Sequence, residues 1–280
     1  MRIALIADTH LSARSPECVA NWHAARRAVE RLGADLTIHL GDITLDGQTH
    51  VEELTFASQL MRQWPTEVRC VPGNHDLGDG SGECPLDEGL LLAYRDNFGP
   101  DHWALRVGDW KLLGINAQLL GTDSAQEAVL WEWIAKQAEP APEHAYTALF
   151  LHRPMLRLRA GELMRKGRYV SQAATERLLE GPLQPQLRMV VSGHTHQYID
   201  TMVDGVRHLW IPSTAFILPD DVQARIGEKL VGIGLLELSE TAAQFDLWCP
   251  DGMRRHDVST LDFFRYPSDV VGTSTKAPVE

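Results

Sequence analysis

Four cysteines in 280 residues, with no C-x-x-C pair, are too few and too scattered for a disulfide scaffold or a thiolate zinc site. Cys18, Cys70, Cys84 and Cys249 sit in unrelated surroundings, so reduced thiols are the expectation. No run approaches the ~20 consecutive apolar residues that cross a bilayer. Met1 and Arg2 lead into an apolar strand without the basic, apolar and cleavage regions of a secretory leader. That strand delivers the first of the polar clusters described below, so a cytoplasmic protein with no membrane partner is expected. Positive charge is also short: 26 Lys and Arg stand against 38 Asp and Glu, a net charge of −12. Such a surface disfavours long contacts with a nucleic-acid backbone, which are driven by Lys and Arg. Small phosphate esters stay compatible with it, because a bound metal brings its own positive charge. A homo-oligomer is compatible with this composition too.

What the chain has is a repeated local pattern. "MVVSGHTHQY" ends an apolar run with Gly193, His194 and His196, and residues two apart in extended chain point the same way. "MRIALIADTH" places Asp8 and His10 at the same spacing after Ile3 to Ala7. "DLTIHLGDIT" brings Gly41 and Asp42 after a strand from about Leu36 to Leu40, and "VRCVPGNHDLG" brings Gly73, Asn74, His75 and Asp76 after Val68 to Val71. "YTALFLHRPM" ends a strand at His152. One HxH is most simply a polar turn. Five strand ends that each carry Asp, Asn or His are not, because loops at the carboxyl ends of strands converge on one crevice in αβ sheets. Neutral imidazole and carboxylate are the common ligands of transition metals.

The ordered set Asp8-Thr9-His10, Gly41-Asp42, Gly73-Asn74-His75-Asp76, His152 and Gly193-His194-Thr195-His196 resembles the calcineurin-like metallophosphoesterases, whose five blocks are D-x-H, G-D, G-N-H-D/E, a lone H and G-H-x-H. The match spans roughly residues 3 to 200 with no ligand missing. The resemblance implies a four-layer αββα sandwich, two mixed β-sheets flanked by helices. It implies two divalent or trivalent metal ions, with Mn and Fe foremost and Zn admitted. Asp8, His10, Asp42 and His196 would hold one ion, and Asp42, Asn74, His152 and His194 the other, with Asp42 as the bridge. His75 resembles the family histidine that contacts phosphate or protonates the leaving alkoxide, with Asp76 orienting its ring. The implied reaction is hydrolysis of a small phosphoester by hydroxide activated between the ions.

"GDITLDG", "GNHDLGDG" and the "GIN" strand are similar to the class III cyclic-nucleotide phosphodiesterase branch. Small phosphodiesters, 3',5'-cyclic nucleotides among them, are therefore the expected substrates. A broad phosphomonoesterase or nucleotide pyrophosphatase is the alternative within the family. A DNA nuclease is disfavoured by charge, and an inactive scaffold by the complete ligand set. The text "HRPM" departs from the family, which often has a second histidine there. Arg153 opens a basic run with Arg157, Arg159, Arg165, Lys166 and Arg168, and Arg153 is expected to be the one nearest the substrate and Arg168 the farthest. The alternative for this run is a solvated surface.

Around these blocks the chain alternates. "PECVANWHAARRAVERLG" predicts a helix ending at Gly33, and "THVEELTFASQLMRQW" one ending before Pro65. Gly78 to Gly89 reads as a long loop over the site. Trp103 to Val107 and Trp110 to Asn116 predict a hairpin, and "AQEAVLWEWIAKQAE" a helix with Val129, Trp131, Trp133 and Ile134 as its apolar stripe. The strands after residue 198 suggest a second, more antiparallel sheet. His39 and His208 are read as strand residues and His23 as helix surface. A single domain over residues 1–265 is expected, with a flexible tail at 266–280.

Overall fold

The computed structural model describes residues 1–78, 86–137, 146–155, 168–181, 183–240 and 242–264. The chain starts as βαβ units. Strand β1 (Arg2–Ile6) leads to helix α1 (Pro16–Leu32), then β2 (Leu36–His39), α2 (Glu52–Met61) and β3 (Glu67–Cys70). Pro16 at the first turn suits the start of α1, since its missing N–H would have no partner there. Gly33 caps the helix in left-handed conformation at φ 61°, donating to the carbonyls of Glu30 and Val29. Helix α2 stops at Met61, short of the expected Trp64.

The four-residue turn α3 (Asn74–Leu77) follows, then α4 (Glu88–Phe98), whose first two residues fall within the expected loop Gly78 to Gly89. The Asp87 side chain caps α4 by accepting from the Leu90 amide at 2.9 Å. Residues 79–85 of that expected loop lie outside the described residues. The hairpin is β4 (Trp103–Val107) and β5 (Trp110–Gly114), followed by α5 (Ala125–Gln137), β6 (Tyr146–Leu151), α6 (Gln172–Leu179) and β7 (Leu187–Ser192). Later come β8 (Ile199–Val203), β9 (Val206–Trp210), β10 (Phe216–Ile217), β11 (Ile233–Leu238), β12 (Ala243–Trp248) and β13 (His256–Asp257).

Two mixed sheets result, ordered β12-β11-β1-β2-β3 and β4-β5-β6-β7-β9-β8. In the first, β1, β2 and β3 are parallel; in the second, β5, β6, β7 and β9 are. Strand alternation makes the layers. Ile3 and Leu5 pack with Ala148 and Phe150 between the sheets, while Ala4 and Ile6 face α1 with Trp22 and Val29. Leu149 and Leu151 face outward to Leu130, Trp131 and Ile134 of α5 and Leu178 of α6. Helices therefore cover both outer faces, the αββα sandwich that was expected.

Two readings need correction. The late strands do not make one further antiparallel sheet: β8 and β9 extend the second sheet, β11 and β12 extend the first beside β1, and only the two-residue strands β10 and β13 pair apart, in parallel. Antiparallel edges were legible, but which core they close is a long-range choice. In α5 the buried residues are Glu127, Leu130, Trp131 and Ile134, whereas Val129 is 54% exposed and Trp133 is partly buried. Glu127 is held on that face because its carboxylate accepts from Trp131 Nε1 and from the amides of Gly121 and Asp123. His39 and His208 do lie in strands, in β2 and β9. Cys18, Cys70 and Cys249 are free thiols. Cys84, Arg157, Arg159, Arg165, Lys166 and the tail 266–280 lie outside the described residues.

Candidate metal centre

Parallel strands point their carboxyl ends one way, so the residues just after β1, β2, β3, β6 and β7 meet at one edge of the sandwich. Main-chain bonds lock these segments together: the Asp8 amide donates to Gly41 at 3.0 Å, His10 to Asp42 at 3.1 Å, and Gly193 to His152 at 3.0 Å. Others cross between the sheets. The His194 amide donates to the Asp8 carboxylate at 3.0–3.1 Å, and His152 Nδ1 donates to the Leu40 carbonyl at 2.8 Å.

The backbone there is strained. Among the described residues, seven non-glycine residues have positive φ, and five of them are Asp8, His10, Asp42, His194 and His196. The left-handed region is costly for side-chain-bearing residues and persists where surrounding contacts over-determine it. Two glycines admit the close approach. A Cβ on Gly73 would stand 2.1 Å from Asp42 Oδ1, and one on Gly41, at φ +92°, would stand 2.7 Å from His152 Nδ1.

Ligand-type atoms converge in two groups. Asp8, His10 and His196 form one: His10 Nε2 is 3.2 Å from His196 Nε2, which is 3.6 Å from Asp8 Oδ1. Asp42, His152 and His194 form the other. There His152 Nε2 lies 3.3 Å from Asp42 Oδ2, 3.2 Å from Asn74 Oδ1 and 3.0 Å from His194 Nδ1. Asp42 also groups with His10 and His75, which sets it between the two. All seven nominated ligands are thus brought together.

The donor set fits metal ions. His152 uses Nδ1–H on Leu40, and His196 uses Nδ1–H on the Phe216 carbonyl at 3.0 Å, so each turns Nε2 inward. Burial depresses His10 and His194 well below the ordinary histidine range and His196 to about 4, leaving neutral imidazoles. Burial raises Asp8 well above the usual carboxylate range, against the pull of His152. Burial acts upward on Asp42 too, but the charges of His152 and His75 carry it well below that range. His152 is the exception among the imidazoles: burial lowers it, yet Asp42 and Asp8 lift it to about 9. Two buried carboxylates and inward nitrogen lone pairs are a cation's environment.

His75 is half-buried beside this cluster, its ring 4.9 Å from that of His10. Its Nδ1–H donates to the Leu45 carbonyl at 2.6 Å and its amide to Asp42 Oδ1 at 2.9 Å. Asp76 does not orient that ring. Its buried carboxylate accepts instead from the amides of Gly73, Ile43 and Thr44 and from Thr44 Oγ1, joining the loops after β2 and β3. A carboxylate one residue away turns inward along the four-residue turn, where unsatisfied amides outcompete the imidazole.

Two members of the basic run, Arg153 and Arg168, are described. Arg153 is 6% exposed and close enough to depress His194 through its charge, while Arg168 lines the cleft above the metal cluster. Chain length after His152 sets how far a residue could stray, but not how the chain returns. Sequence reasoning missed Arg14, which also lines the cleft. Its guanidinium is held at 2.7–3.0 Å by Glu53, a buried carboxylate that also takes the Asp46 amide at 2.7 Å. Arg14 lies four residues beyond His10, so the first block was the available signal. Phe216 had none.

A sequence model of calcineurin-like phosphoesterases matches residues 1–198. The chain belongs to that family. This phosphoesterase is a metal-dependent hydrolase of phosphoric esters, and its two His/Asp groups stand where the family pattern falls. It is 27% identical over 225 residues, 76% of each chain, to the 3',5'-cyclic adenosine monophosphate phosphodiesterase CpdA of Escherichia coli K12. It is 25% identical over 252 residues to the 3',5'-cyclic-nucleotide phosphodiesterase alr5338 of Nostoc sp. PCC 7120, covering 84% of this chain and 87% of that one. The fold resembles purple acid phosphatase PPD1 from yellow lupin, with a TM-score of 0.65 and 14% identity over 92% of this chain. The phosphoesterase spans about half of that plant protein, 52%. A dimetal phosphatase from Danio rerio is similar as well, with a TM-score of 0.58 and 14% identity, over 88% of this chain and 95% of that one. Among the described residues no helix is long and apolar enough to cross a membrane.

Proposed function

We propose that this phosphoesterase hydrolyses small phosphodiesters, with 3',5'-cyclic nucleotides as the first substrates to test. The observation that carries the reading is Asp42 between the two ligand groups, which suits a pair of ions sharing one carboxylate. The two cyclic-nucleotide phosphodiesterase relatives support the diester. Asp8, His10, Asp42 and His196 are assigned to one ion and Asp42, Asn74, His152 and His194 to the other. The nitrogen and oxygen donors suit Mn, Fe and Zn. When bound, the ion pair supplies Lewis-acid polarisation of the phosphoryl oxygens and makes the attacking water more acidic.

The chain's own residues do the rest. His152, tethered to Leu40, and His196, tethered to Phe216, have little freedom, so the place where the phosphate would bind is fixed. His75 is assigned the proton on the leaving oxygen: with Nδ1–H fixed on Leu45, Nε2 is the nitrogen available to donate from the protonated ring. Asp76 keeps the loop that presents His75. The buried thiols of Cys18 and Cys70 favour a reducing compartment, and a cytoplasmic location goes with this reading.

The test is a hydrolysis panel on the metal-reconstituted chain with cyclic AMP, bis(p-nitrophenyl) phosphate, p-nitrophenyl phosphate and a dinucleotide pyrophosphate. The diesters should have the highest kcat/KM. Faster turnover of the monoester or the pyrophosphate would replace the diester reading with the corresponding one.

A further inference from the structure

Besides a polar rim of Arg14, Asp46, Arg168 and Gln223, the cleft over the metal cluster has two unlike parts. One is the polar floor of His10, Asp42, Asn74, His194 and His196. The other is apolar: Phe216, Leu218, Val258, Phe263 and Phe264 line the same cleft, whose volume is about 560 Å³. That is the size of a small-ligand site, ~300–1,000 Å³. Phe216 joins the two parts. Its ring centre is 4.8 Å from those of both His10 and His196, and 5.8 Å from that of Phe263. Its carbonyl meanwhile receives the His196 Nδ1–H.

The apolar part is a built element. Strands β10 and β13 pair in parallel, Phe216 with His256 and Ile217 with Asp257, and Cys18, Ala215 and Leu261 pack behind as a buried cluster. All of it except Cys18 comes from beyond residue 198, where the family match ends. A phosphorus atom on the floor would have Phe216 beside it, within reach of an ester group, since that ring touches two of the floor's imidazoles. Against such a surface a polyol leaves its hydroxyls unpaired, which is costly. A flat ring gains apolar burial and offset or edge-on ring contact.

We propose that Phe216, Phe263 and Phe264 form a subsite for an aromatic or heteroaromatic ring carried on one ester group of the substrate, such as a nucleobase. Substrate preference is then set by the segment 256–264 packed on Phe216, not by the metal-bearing strand ends. The proposal rests on the phosphodiesterase reading for its reaction, but not for its binding.

Equilibrium binding of AMP and of glycerol phosphate to the metal-loaded full chain, by calorimetry, separates the two. AMP should bind on the order of tenfold tighter than glycerol phosphate, the scale of one base stacked on an aromatic side chain. Phe263→Ala with Phe264→Ala should bring the ratio towards one. Phe264→Tyr, which keeps a ring, should retain it, and Phe263→Leu, which keeps volume but no flat face, should lose part. In turnover, the same alanine pair should lower kcat/KM for cyclic AMP relative to glycerophosphoethanolamine by a similar factor. Equal affinities in the natural chain, no measurable AMP binding, or a ratio untouched by the alanine pair each overturn the proposal. If no diester is turned over but the AMP ratio behaves as stated, the diesterase reading falls and the ring subsite stands.

Discussion

The polar floor and the apolar wall of one cleft are built in opposite ways. The floor draws on five strand ends spread from Asp8 to His196, on left-handed backbone at five ligand positions, and on atoms placed 3.0–3.6 Å apart. The wall draws on the two-residue strands β10 and β13 and a few aromatic rings. Metal ligation tolerates little error in position, so strain there is held by many contacts at once. Apolar contact is non-directional and needs only shape, so a short late segment is enough to supply it. The floor should therefore fail abruptly under substitution, and the wall by degrees.

The largest effect is expected at the shared carboxylate. Asp42→Ala should take elemental analysis from about two metals per chain to near none, whereas Asp8→Ala or His152→Ala should weaken one site preferentially. Two metals retained by Asp42→Ala would remove it from the bridging position. Next comes Gly73→Ala. Its new Cβ overlaps Asp42 Oδ1 at 2.1 Å, so the floor must shift, with a stability loss of about 1–3 kcal/mol and weakened metal uptake. Unchanged thermal stability and metal content would show that the loop relaxes freely, against the rigidity claimed for the floor.

His75→Ala should keep both metals yet lose on the order of 10² in kcat, with a smaller loss for p-nitrophenyl esters, whose leaving group needs no proton. Equal losses on good and poor leaving groups would make His75 a phosphate contact.

The smallest effect concerns pH and separates the floor from the rest of the core. His208, on β9, is pushed down by burial to about 4, so the folded chain resists a proton that the unfolded chain accepts near 6.5. Its contribution is present above pH 6.5 and is lost as pH falls towards 4, on the order of 1–2 kcal/mol by pH 5. His208→Gln should flatten that part of the acid limb in urea titrations, and an unchanged limb would count against it. In protein stripped with a chelator, His152 should act with the opposite sign. Raised to about 9, it stabilises below pH 6.5 and loses that contribution as pH rises through 9.

How much was legible differs along the same lines. The five blocks could be read because ligands two apart in extended chain, and glycines where a Cβ would collide, leave local spacing behind. The layers followed, since the alternation of Ile3 and Leu5 against Ala4 and Ile6 is also local. Arg14 was missed although it lies only four residues past the first block, because its anchor, Glu53, is on α2. Asp76 was misread for a similar reason: its partners Ile43 and Thr44 are more than thirty residues away.

By itself, then, the sequence determined the set of candidate ligands, the strands that carry them and the family. Tertiary structure alone decided which late strands close which sheet, that Arg168 returns to line the cleft, and that Phe216 and Phe263 complete it. The physical reason is that coordination and backbone strain restrict residue type position by position. An apolar wall or a returning loop accepts many sequences, and the choice among them is made only by what packs behind.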